Sequence, residues 1–461
     1  MGTEAPTPIV IPVRCAPKKA PCPRCGTRGR RKRTLTRTVR TVAYKAVAVL
    51  EVTYGEYAAR CDCCTTFRNH PEGVLPKAKY DNRVRDLVLD RLLKDGMSVE
   101  RALGSIRREF LLDLSTGFVY DVLRDRAAEL DLAAHRRMVL DSFSGTLCVD
   151  ELHLGRFTLL LATDPRADLP VAFALVGRND ADHMRRFLGN LKTWGLLPRV
   201  VVTDGSSLYP ELLAALWPDA DHQLCAFHAL KTINGLILDA VRRLKTAMAR
   251  RGKAGRKTKR GRKSKKAKAA AGRRGPALKQ KAHFVFKHRY LIVKRREKFT
   301  EAERDDLRRM LEYLPELAAL RHFADRVYWL FDTPKDFHQA SCRRSAIVRE
   351  AAFGAVPELV KAMGQFDEAK FPKLLAYLNG PVSRRVRTNN HVERTNRLFR
   401  FLEKVRYKWR RRRTLVRFVV LKLDEVWSHH SSPKAAKFKA EPSSGDRKTQ
   451  ADAGRRSRRA A

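Results

Sequence analysis

Three acidic residues in this sequence stand where a metal-binding site could form. Asp150 is predicted to end the strand within LCVDELHLG, Asp204 ends VVVTD, and Glu393 is the single acid in the basic stretch TNNHVERTNRLFRF. Carboxylate oxygens are the ligands that Mg²⁺ prefers. An aspartate after a strand can instead be a turn former, and Glu393 can instead be a solvated helix residue paired with a neighbouring arginine. A catalytic metal site therefore depends on a fold that brings the three acids together.

The segment that carries both aspartates has the pattern of an α/β sheet. Residues 145–235 contain three β-rich segments, and helix and strand patterns then alternate to give the order βββαβαβα. This order predicts a mixed sheet with helices on its faces. The strands that end at Asp150 and Asp204 should run in the same direction. Both carboxylates are therefore expected at one edge of the sheet, whereas alternation points Glu151 and His153 to the opposite face.

The stretch around Glu393 is predicted to be a helix with two faces. One face is an apolar stripe with helical spacing, formed by Val392, Thr395, Phe399 and Leu402. The other carries Glu393 together with Asn389, Asn396, Arg397 and Arg400. On that face a metal-binding carboxylate would lie one turn from amide and guanidinium groups that can hold phosphate. These arginines are then better explained as phosphate contacts than as partners of Glu393.

The cysteines indicate a second metal site, of a different kind. Six of the nine cysteines fall within the first 64 residues, and two pairs have C-x-x-C spacing. Four thiolates from two tight turns, Cys22, Cys25, Cys61 and Cys64, can close a tetrahedral zinc site, with Cys63 or Cys15 as a substitute ligand. The alternative is two clusters of free cysteines. Between the pairs, residues 43–60 alternate around Tyr54-Gly55, which predicts a β-hairpin.

Three short helices are predicted after the cysteine-rich segment. Apolar residues at helical spacing form the first, Gly96 ends it, and Ser98 and Ser115 are placed to cap the next two. This arrangement is typical of a helix-turn-helix with the Ser115 helix as its recognition element, although a generic helical bundle has the same pattern. The candidate DNA contacts on that helix are Ser115, Thr116, Tyr120 and Arg124.

The charge of the chain indicates a polyanionic partner. The net charge is +47, from 96 Lys and Arg against 49 Asp and Glu, and no apolar stretch is long enough to span a membrane. Residues 241–282 contain no acid and are expected to be mobile. Together with the run Arg410, Arg411, Arg412 and Arg413, they would supply non-specific DNA affinity.

Three local patterns resemble the DDE transposases of bacterial insertion sequences, which have an RNase H-like fold. LCVDELHLG resembles their first-aspartate strand, and TNNHVERTNR resembles the helix with the final glutamate. TDGSSLYPELLAALWPDADHQLCAFH resembles the second-aspartate region of families with a C-x-x-H, here Cys225 and His228. That pair could bind metal, with His222 as a further ligand, or hold structural hydrogen bonds behind the site. The second interpretation is preferred.

The resemblance implies both an activity and its cofactors. Asp150, Asp204 and Glu393 would hold two Mg²⁺ ions, or Mn²⁺, with Asp150 bridging them. Cleavage and joining of DNA strands would follow as in-line displacements at phosphorus. The zinc would be structural, and Cys225, His228, Asn389 and Asn396 would support the site.

The expected partners are the terminal inverted repeats, the target DNA and a second copy of the chain in a dimer or higher oligomer on DNA. The expected place of action is the bacterial cytoplasm, at the nucleoid. Two alternatives compete: a DNA-binding regulator on an inactive transposase core, and another RNase H-like nuclease or an RNA-binding zinc-ribbon protein. Intact acids at all three positions argue against the first of these.

The predicted fold class is an α/β RNase H-like core with an all-α insertion, preceded by two small N-terminal domains. The predicted segments are a zinc-ribbon-like domain (1–75), a helix-turn-helix (76–135), the first part of the core (136–240), a basic linker with helical insertion (241–385), the closing helices with the final glutamate (386–430), and a disordered basic tail (431–461).

Overall fold

The structure is a computed structural model that describes residues 7–254, 278–332, 334–381, 385–406 and 411–430. Residues 255–277 of the predicted basic linker, the side chain of Leu402, Arg410 and the predicted basic tail lie outside the described residues. Along the rest of the chain, the structure contains two β-sheets and sixteen described α-helices.

The N-terminal region is a five-stranded sheet. Its strands are β1 (Ile9–Cys15), β2 (Lys19–Pro21), β3 (Arg28–Thr41), β4 (Ala48–Cys61) and β5 (Cys64–Asn69). The order is β1-β4-β3-β2 with β5 also paired to β4, and only the β1–β4 pair is parallel.

The hairpin predicted at Tyr54-Gly55 is wrong. Strand β4 runs straight through both residues, and the hairpin joins β3 to β4 instead. Gly55 has a packing role here, because a Cβ at that position would lie 2.5 Å from the side chain of Tyr57.

The next region is helical. Its helices are α1 (Asn82–Leu89), continued by a π-turn (Asp90–Lys94), α2 (Val99–Phe110), α3 (Thr116–Ala128) and α4 (Leu132–Ser142). The predicted breaks are present: Gly96 has a positive φ of 65°, and the hydroxyls of Ser98 and Ser115 accept hydrogen bonds from Arg101 N and Phe118 N. These helices have no separate core, because their buried residues join the cluster of the second sheet.

The second sheet follows the order βββαβαβα that the sequence predicts. It contains β6 (Thr146–Leu154), β7 (Phe157–Asp164), β8 (Leu169–Val176), α5 (Ala181–Thr193), β9 (Val200–Thr203), α6 (Tyr209–Leu216), β10 (Asp221–Leu224) and α7 (Ala226–Ala254). The strand order is β10-β9-β6-β7-β8. Strands β6 to β8 form an antiparallel meander, and β9 and β10 add to it in parallel on the β6 side.

A second hydrophobic core lies among the helices that follow. They are α8 (278–287), α9 (Glu301–Tyr313), α10 (Leu317–Asp332), α11 (Phe337–Val348), α12 (Ala351–Gly354), α13 (Pro357–Met363) and α14 (Phe371–Leu374), with short 3₁₀ turns between them. Helix α7 crosses the predicted boundary between 240 and 241, since Val241 and Met248 are buried in this core. The flanks of the basic block are therefore folded: 241–254 belong to α7 and 278–282 to α8.

Two closing helices return to the second sheet. Helix α15 (Asn390–Arg406) crosses β6 and β7, and α16 (Arg412–His430) packs against β8 and α3. Val392, Thr395 and Phe399 are buried as the predicted stripe requires. Among the described helices, none combines the length and the apolar character needed to cross a membrane.

Candidate active site

The register of the second sheet brings Asp150 and Asp204 to the same level. Cys148 on β6 is paired in parallel with Val202 on β9, and each aspartate follows its paired residue by two positions. Asp150 is 92% buried, whereas Asp204 is partly exposed and accepts a hydrogen bond from Ser206 N at 2.9 Å. Asp204 directly follows the end of β9, as predicted, whereas the prediction that Asp150 ends its strand is wrong, because β6 continues to Leu154. The two carboxylates are nevertheless level, at the point where β9 ends beside β6.

Helix α15 is anchored over this edge by two asparagines. The amide of Asn396 donates to Asp150 Oδ2 at 2.8 Å, and the amide of Asn389 donates to the carbonyl of Val149 at 2.9 Å. Both asparagines are almost fully buried, at 1% and 0% exposure. They therefore face the sheet. The sequence predicted that they share a solvent-exposed face with the arginines of the helix, and this prediction is wrong.

The close carboxylate group differs from the predicted triad. Carboxylate oxygens of Asp150, Glu151 and Asp204 all lie within 4.8 Å of one another, and Glu393 is not a member of this group. Its Oε1 lies 3.4 Å from His228 Nε2, and no arginine of the described chain is within ion-pair distance of it. The sequence reasoning set Glu151 aside because of strand alternation. Glu151 lies within β6 and not at its end, so no pattern in the sequence distinguished it from an ordinary alternating strand residue.

Burial and like charges raise the pKa values of two of these acids. Burial, reinforced by the charges of Asp204 and Glu393, raises the pKa of Asp150 to about 6, against the opposing hydrogen bonds from Glu151 N and Asn396. Burial also raises the pKa of Glu151 to about 7, with further increase from Asp204 and Asp150 and opposition from the hydroxyl of Tyr209. Burial and mutual repulsion disfavour the ionised forms of these carboxylates. A bound cation would offset both effects, so the site is suited to bind one.

Three oxygen atoms at the site have no hydrogen-bond donor among the described residues. Oε1 of Glu151 and Oε1 of Glu393 are buried and accept no hydrogen bond within the described chain, and the same holds for Oδ1 of Asn396. Buried oxygens without donors are unfavourable unless a cation or water binds them. Oxygen ligands at this spacing suit Mg²⁺ or Mn²⁺, which bind carboxylates and water. The residues present therefore fit a divalent cation.

Cys225 and His228 lie behind this site, at the start of α7. The thiol of Cys225 is buried and accepts the backbone N–H of Asn389 at 3.2 Å, and it also raises the pKa of His228. His222 is turned away, with Nε2 2.9 Å from the hydroxyl of Thr203. Within the described chain, the pair has no third metal ligand. The geometry favours the structural interpretation, in which the pair positions Asn389 and Glu393.

The arginines near Glu393 have separate surroundings. Arg394 is paired with Asp168, whereas Arg397 and Arg400 are exposed and have no ion pair among the described residues. Beyond the helix, Arg411 and Arg413 are exposed, and Arg412 donates to the carbonyl of Leu175 at 2.9 Å. Arg410 lies outside the described residues.

The candidate contacts on α3 have mixed surroundings. Ser115 and Thr116 are exposed at the start of the helix, and Tyr120 is half-buried against the core. Arg124 is paired with two acids of its own helix, Asp121 and Asp125. Its charge is therefore largely balanced within the helix.

The cysteine cluster contains five thiols and not four. Cys22, Cys61, Cys63 and Cys64 form a group with all sulfurs within 4.8 Å, and Cys25 lies 3.4 Å from Cys63. The Cys22–Cys64 and Cys61–Cys64 separations are 3.6 and 3.9 Å. A tetrahedral zinc with Zn–S bonds of about 2.3 Å needs sulfurs roughly 3.8 Å apart, so the cluster fits zinc.

Cys63 thus takes the place in the group that the sequence assigned to Cys25. Cys15 lies apart, where its sulfur accepts a hydrogen bond from the amide of Asn69.

Comparison with known proteins identifies a family for most of the second sheet, the helices that follow it and α15. The family model DDE_Tnp_ISL3, described as a transposase, matches residues 147–416. A solved structure titled "Drosophila P element transposase strand transfer complex" is similar at 12% identity, with 71% of this chain and 93% of that chain covered and a TM-score of 0.24. No curated protein matches the chain.

Proposed function

We propose, for a chain that belongs to the DDE transposase family matched over residues 147–416, that the carboxylate site cuts and rejoins DNA strands. The substrates would be the terminal inverted repeats of its own element and a target duplex. The observation that carries the proposal is the level placement of Asp150 and Asp204 on parallel strands, with α15 hydrogen-bonded across them.

The proposed core is RNase H-like. An antiparallel meander extended in parallel on the side of its first strand supports that topology, as does a glutamate-bearing helix that returns after a helical insertion. The insertion would be the second hydrophobic core, between β10 and α15.

Asp150, Asp204 and Glu393 would hold the divalent ions, for which Mg²⁺ is the proposed species and two the proposed number. When bound, such ions stabilise negative charge on the attacking and leaving oxygens at phosphorus. Asn396 would orient the Asp150 carboxylate, and His228 would hold Glu393 beside the group until a cation competes for it. Glu151 is a further candidate ligand, because its carboxylate already belongs to the group.

The DNA would run along the exposed arginines. Arg397 and Arg400 on α15, and Arg411 and Arg413 before and within α16, are exposed and have no ion pair among the described residues. Thr116 and the start of α3 would contact the terminal repeats, while Arg124 would have to exchange its aspartates for phosphate. Zinc on the cysteine cluster would be structural, and synapsis of two ends would need two copies of the chain.

The test is strand cleavage of a duplex with the terminal repeats, in Mg²⁺, by the whole protein. Asp150→Asn and Asp204→Asn should each lower the cleavage rate by at least about 10³-fold, since each removes several kcal/mol of charge stabilisation. Binding to the same duplex without divalent metal should remain within about twofold. Cleavage at the wild-type rate by either variant would show that these acids do not form the site.

One observation favours a second function, a DNA-binding regulator derived from a transposase core. Glu393 lies outside the close carboxylate group and is engaged by His228. A wild-type protein that binds the repeats but makes no cut in Mg²⁺ or Mn²⁺ would favour the regulator.

A further inference from the structure

The N-terminal sheet has one strongly basic surface that no part of the proposed catalytic site uses. Strand β3 reads RGRRKRTLTRTVRT, with seven Lys and Arg and no acid. Alternation along a strand should divide these cations between two faces. The register of the sheet shows which of them share a face.

Five cations lie together at the cysteine end of the sheet. Lys19 on β2 is paired with Arg30 on β3, and Arg28 precedes Arg30 by two residues. Arg30 is also paired with Ala58 on β4, and after a bulge between Arg31 and Arg33, Arg33 is paired with Glu56, two residues before Ala58. Glu56 is in turn paired with Arg68 on β5. Paired residues and residues two apart point to the same side of a sheet. We call these five residues, Lys19, Arg28, Arg30, Arg33 and Arg68, the basic face.

The opposite side of the same strands is apolar and packed. Ala20, Tyr57, Phe67 and Cys22 form a small buried cluster there, and a Cβ on Gly29 would collide with the ring of Phe67 and with Ala58 O. The packing therefore fixes which side of the sheet is turned outward. The basic face is a consequence of that orientation and not of a flexible loop.

The cations of the basic face are accessible to solvent. Glu56, whose side chain is 10% exposed, accepts from Arg33 at 2.8 Å and from Arg68 at 3.0 Å, which leaves both guanidinium groups about half exposed. Lys19, Arg28 and Arg30 are exposed and have no ion pair among the described residues. One carboxylate among five cations leaves a strong positive field in solvent, at a surface that is already ordered.

We infer that the basic face is a second DNA-binding surface, which holds the phosphate backbone of duplex DNA independently of sequence. The inference rests on the proposed function for the choice of DNA as the polyanion. Ordered guanidinium groups on a sheet can donate to successive phosphates, and such contacts position a duplex without reading its bases. The surface would fix the N-terminal region on the DNA that the catalytic site cuts.

The experiment measures binding of the whole protein to a 30-bp mixed-sequence duplex across a series of salt concentrations, without divalent metal. The variant is Lys19→Gln/Arg28→Gln/Arg30→Gln, which leaves the Glu56 pairs intact. Each lost phosphate contact lowers the slope of log K against log salt by about 0.9, so the slope should fall by roughly 2 to 3 and the affinity by about tenfold or more.

The matched control is Arg185→Gln/Arg186→Gln/Lys192→Gln, which removes the same charge from the exposed side of α5. It should keep the wild-type slope within about 0.5. A basic-face variant with the wild-type slope, or a control with the same loss, would overturn the inference. If the triple variant does not fold by circular dichroism, Arg30→Gln alone should lower the slope by about 0.9.

Two further outcomes separate this inference from its premise. Loss of affinity for a 30-bp RNA duplex with unchanged affinity for DNA would assign the face to RNA and overturn the inference. The binding assay needs no cleavage, so inactive Asp150→Asn protein should show the same fall in slope. Failure of strand cleavage would therefore count against the proposed function and leave the basic face standing.

Discussion

The carboxylate site and the cysteine cluster are built in opposite ways. Asp150 meets Asn396 across 246 residues of sequence, and their contact needs the second sheet, the helical insertion and α15. Cys22 meets Cys63 and Cys64 across 41 and 42 residues, within one small sheet. The first site is a product of the whole core, and the second is closed by two local turns.

The pKa of Cys22 is shifted in the opposite direction to the pKa values of Asp150 and Glu151. The carboxylates are crowded at a partly buried edge, where burial raises the pKa values of Asp150 and Glu151. In the cysteine cluster, backbone N–H groups of Arg24 and Cys25 lower the pKa of Cys22 to about 6. Because the two sites are built on different sheets, variants of one site should leave the other intact. Three measurements can test this independence.

The largest expected effect distinguishes the two glutamates at the carboxylate site. Glu393→Gln should lower strand cleavage in Mg²⁺ by at least about 10³-fold if its carboxylate joins the cation. Glu151→Gln should lower it by about 10- to 100-fold, the usual effect of a group that tunes a metal site. Neither change should alter the zinc content of the protein.

The control for this pair is Glu403→Gln, which removes a partly exposed carboxylate from the same helix. It should cleave within about twofold of the wild-type rate, because a solvated carboxylate contributes little. A larger loss in Glu151→Gln than in Glu393→Gln would reverse the assignment and make Asp150, Glu151 and Asp204 the working triad.

The next effect concerns the fourth zinc ligand. Cys22→Ser and Cys64→Ser should remove the zinc and make the N-terminal sheet sensitive to protease, since small metal domains depend on the metal to fold. The choice between Cys25 and Cys63 follows from the single variants. Cys63 lies within the close group, so Cys63→Ser should lower zinc affinity more than Cys25→Ser.

Zinc is measured by metal analysis after dialysis, with Cys342→Ser as the control because that cysteine lies in the helical insertion. Strand cleavage by the core should fall far less in these variants than in Glu393→Gln. Loss of zinc from Cys25→Ser alone would restore the ligand set Cys22, Cys25, Cys61 and Cys64.

The smallest effect is a pH dependence of stability in protein free of Mg²⁺ and Mn²⁺. The folded pKa values of Asp150 and Glu151, about 6 and about 7, lie above the unfolded values near 4. The folded state binds more protons over that window. Its extra stability is therefore fully present below about pH 4 and is lost as the pH rises through 6 to 7.

Glu151→Gln removes one of these titrations. Its thermal midpoint should equal that of the wild type near pH 4 and exceed it by about 2–4 °C at pH 8. Differential scanning calorimetry at the two pH values measures this, with Glu403→Gln as the matched control. A constant difference at both pH values would contradict a raised pKa at Glu151.

The elements with strong local patterns were predictable from sequence. The order βββαβαβα, the stop at Gly96 and the caps at Ser98 and Ser115 all follow from apolar periodicity and capping chemistry. The common level of Asp150 and Asp204 followed from the direction of two parallel strands. These features depend on neighbours within a few residues or on a general rule of sheet topology.

The features that depend on tertiary packing were not predictable. Tyr54-Gly55 has turn composition, but the glycine makes room for the ring of Tyr57. Residues 241–254 have the composition of a linker, but Val241 and Met248 bury their side chains against distant helices. The pairing of Glu393 with His228 joins residues that no local pattern connects.

The contact between Asn396 and Asp150 has a consequence for the order in which the protein is made. Both aspartates are synthesised before the helix that supplies Asn396 and Glu393. A nascent chain, or one cut short before α15, therefore contains both aspartates but lacks the asparagines that cover them in the folded protein. The proposed cutting activity therefore requires a chain that has been translated through α15.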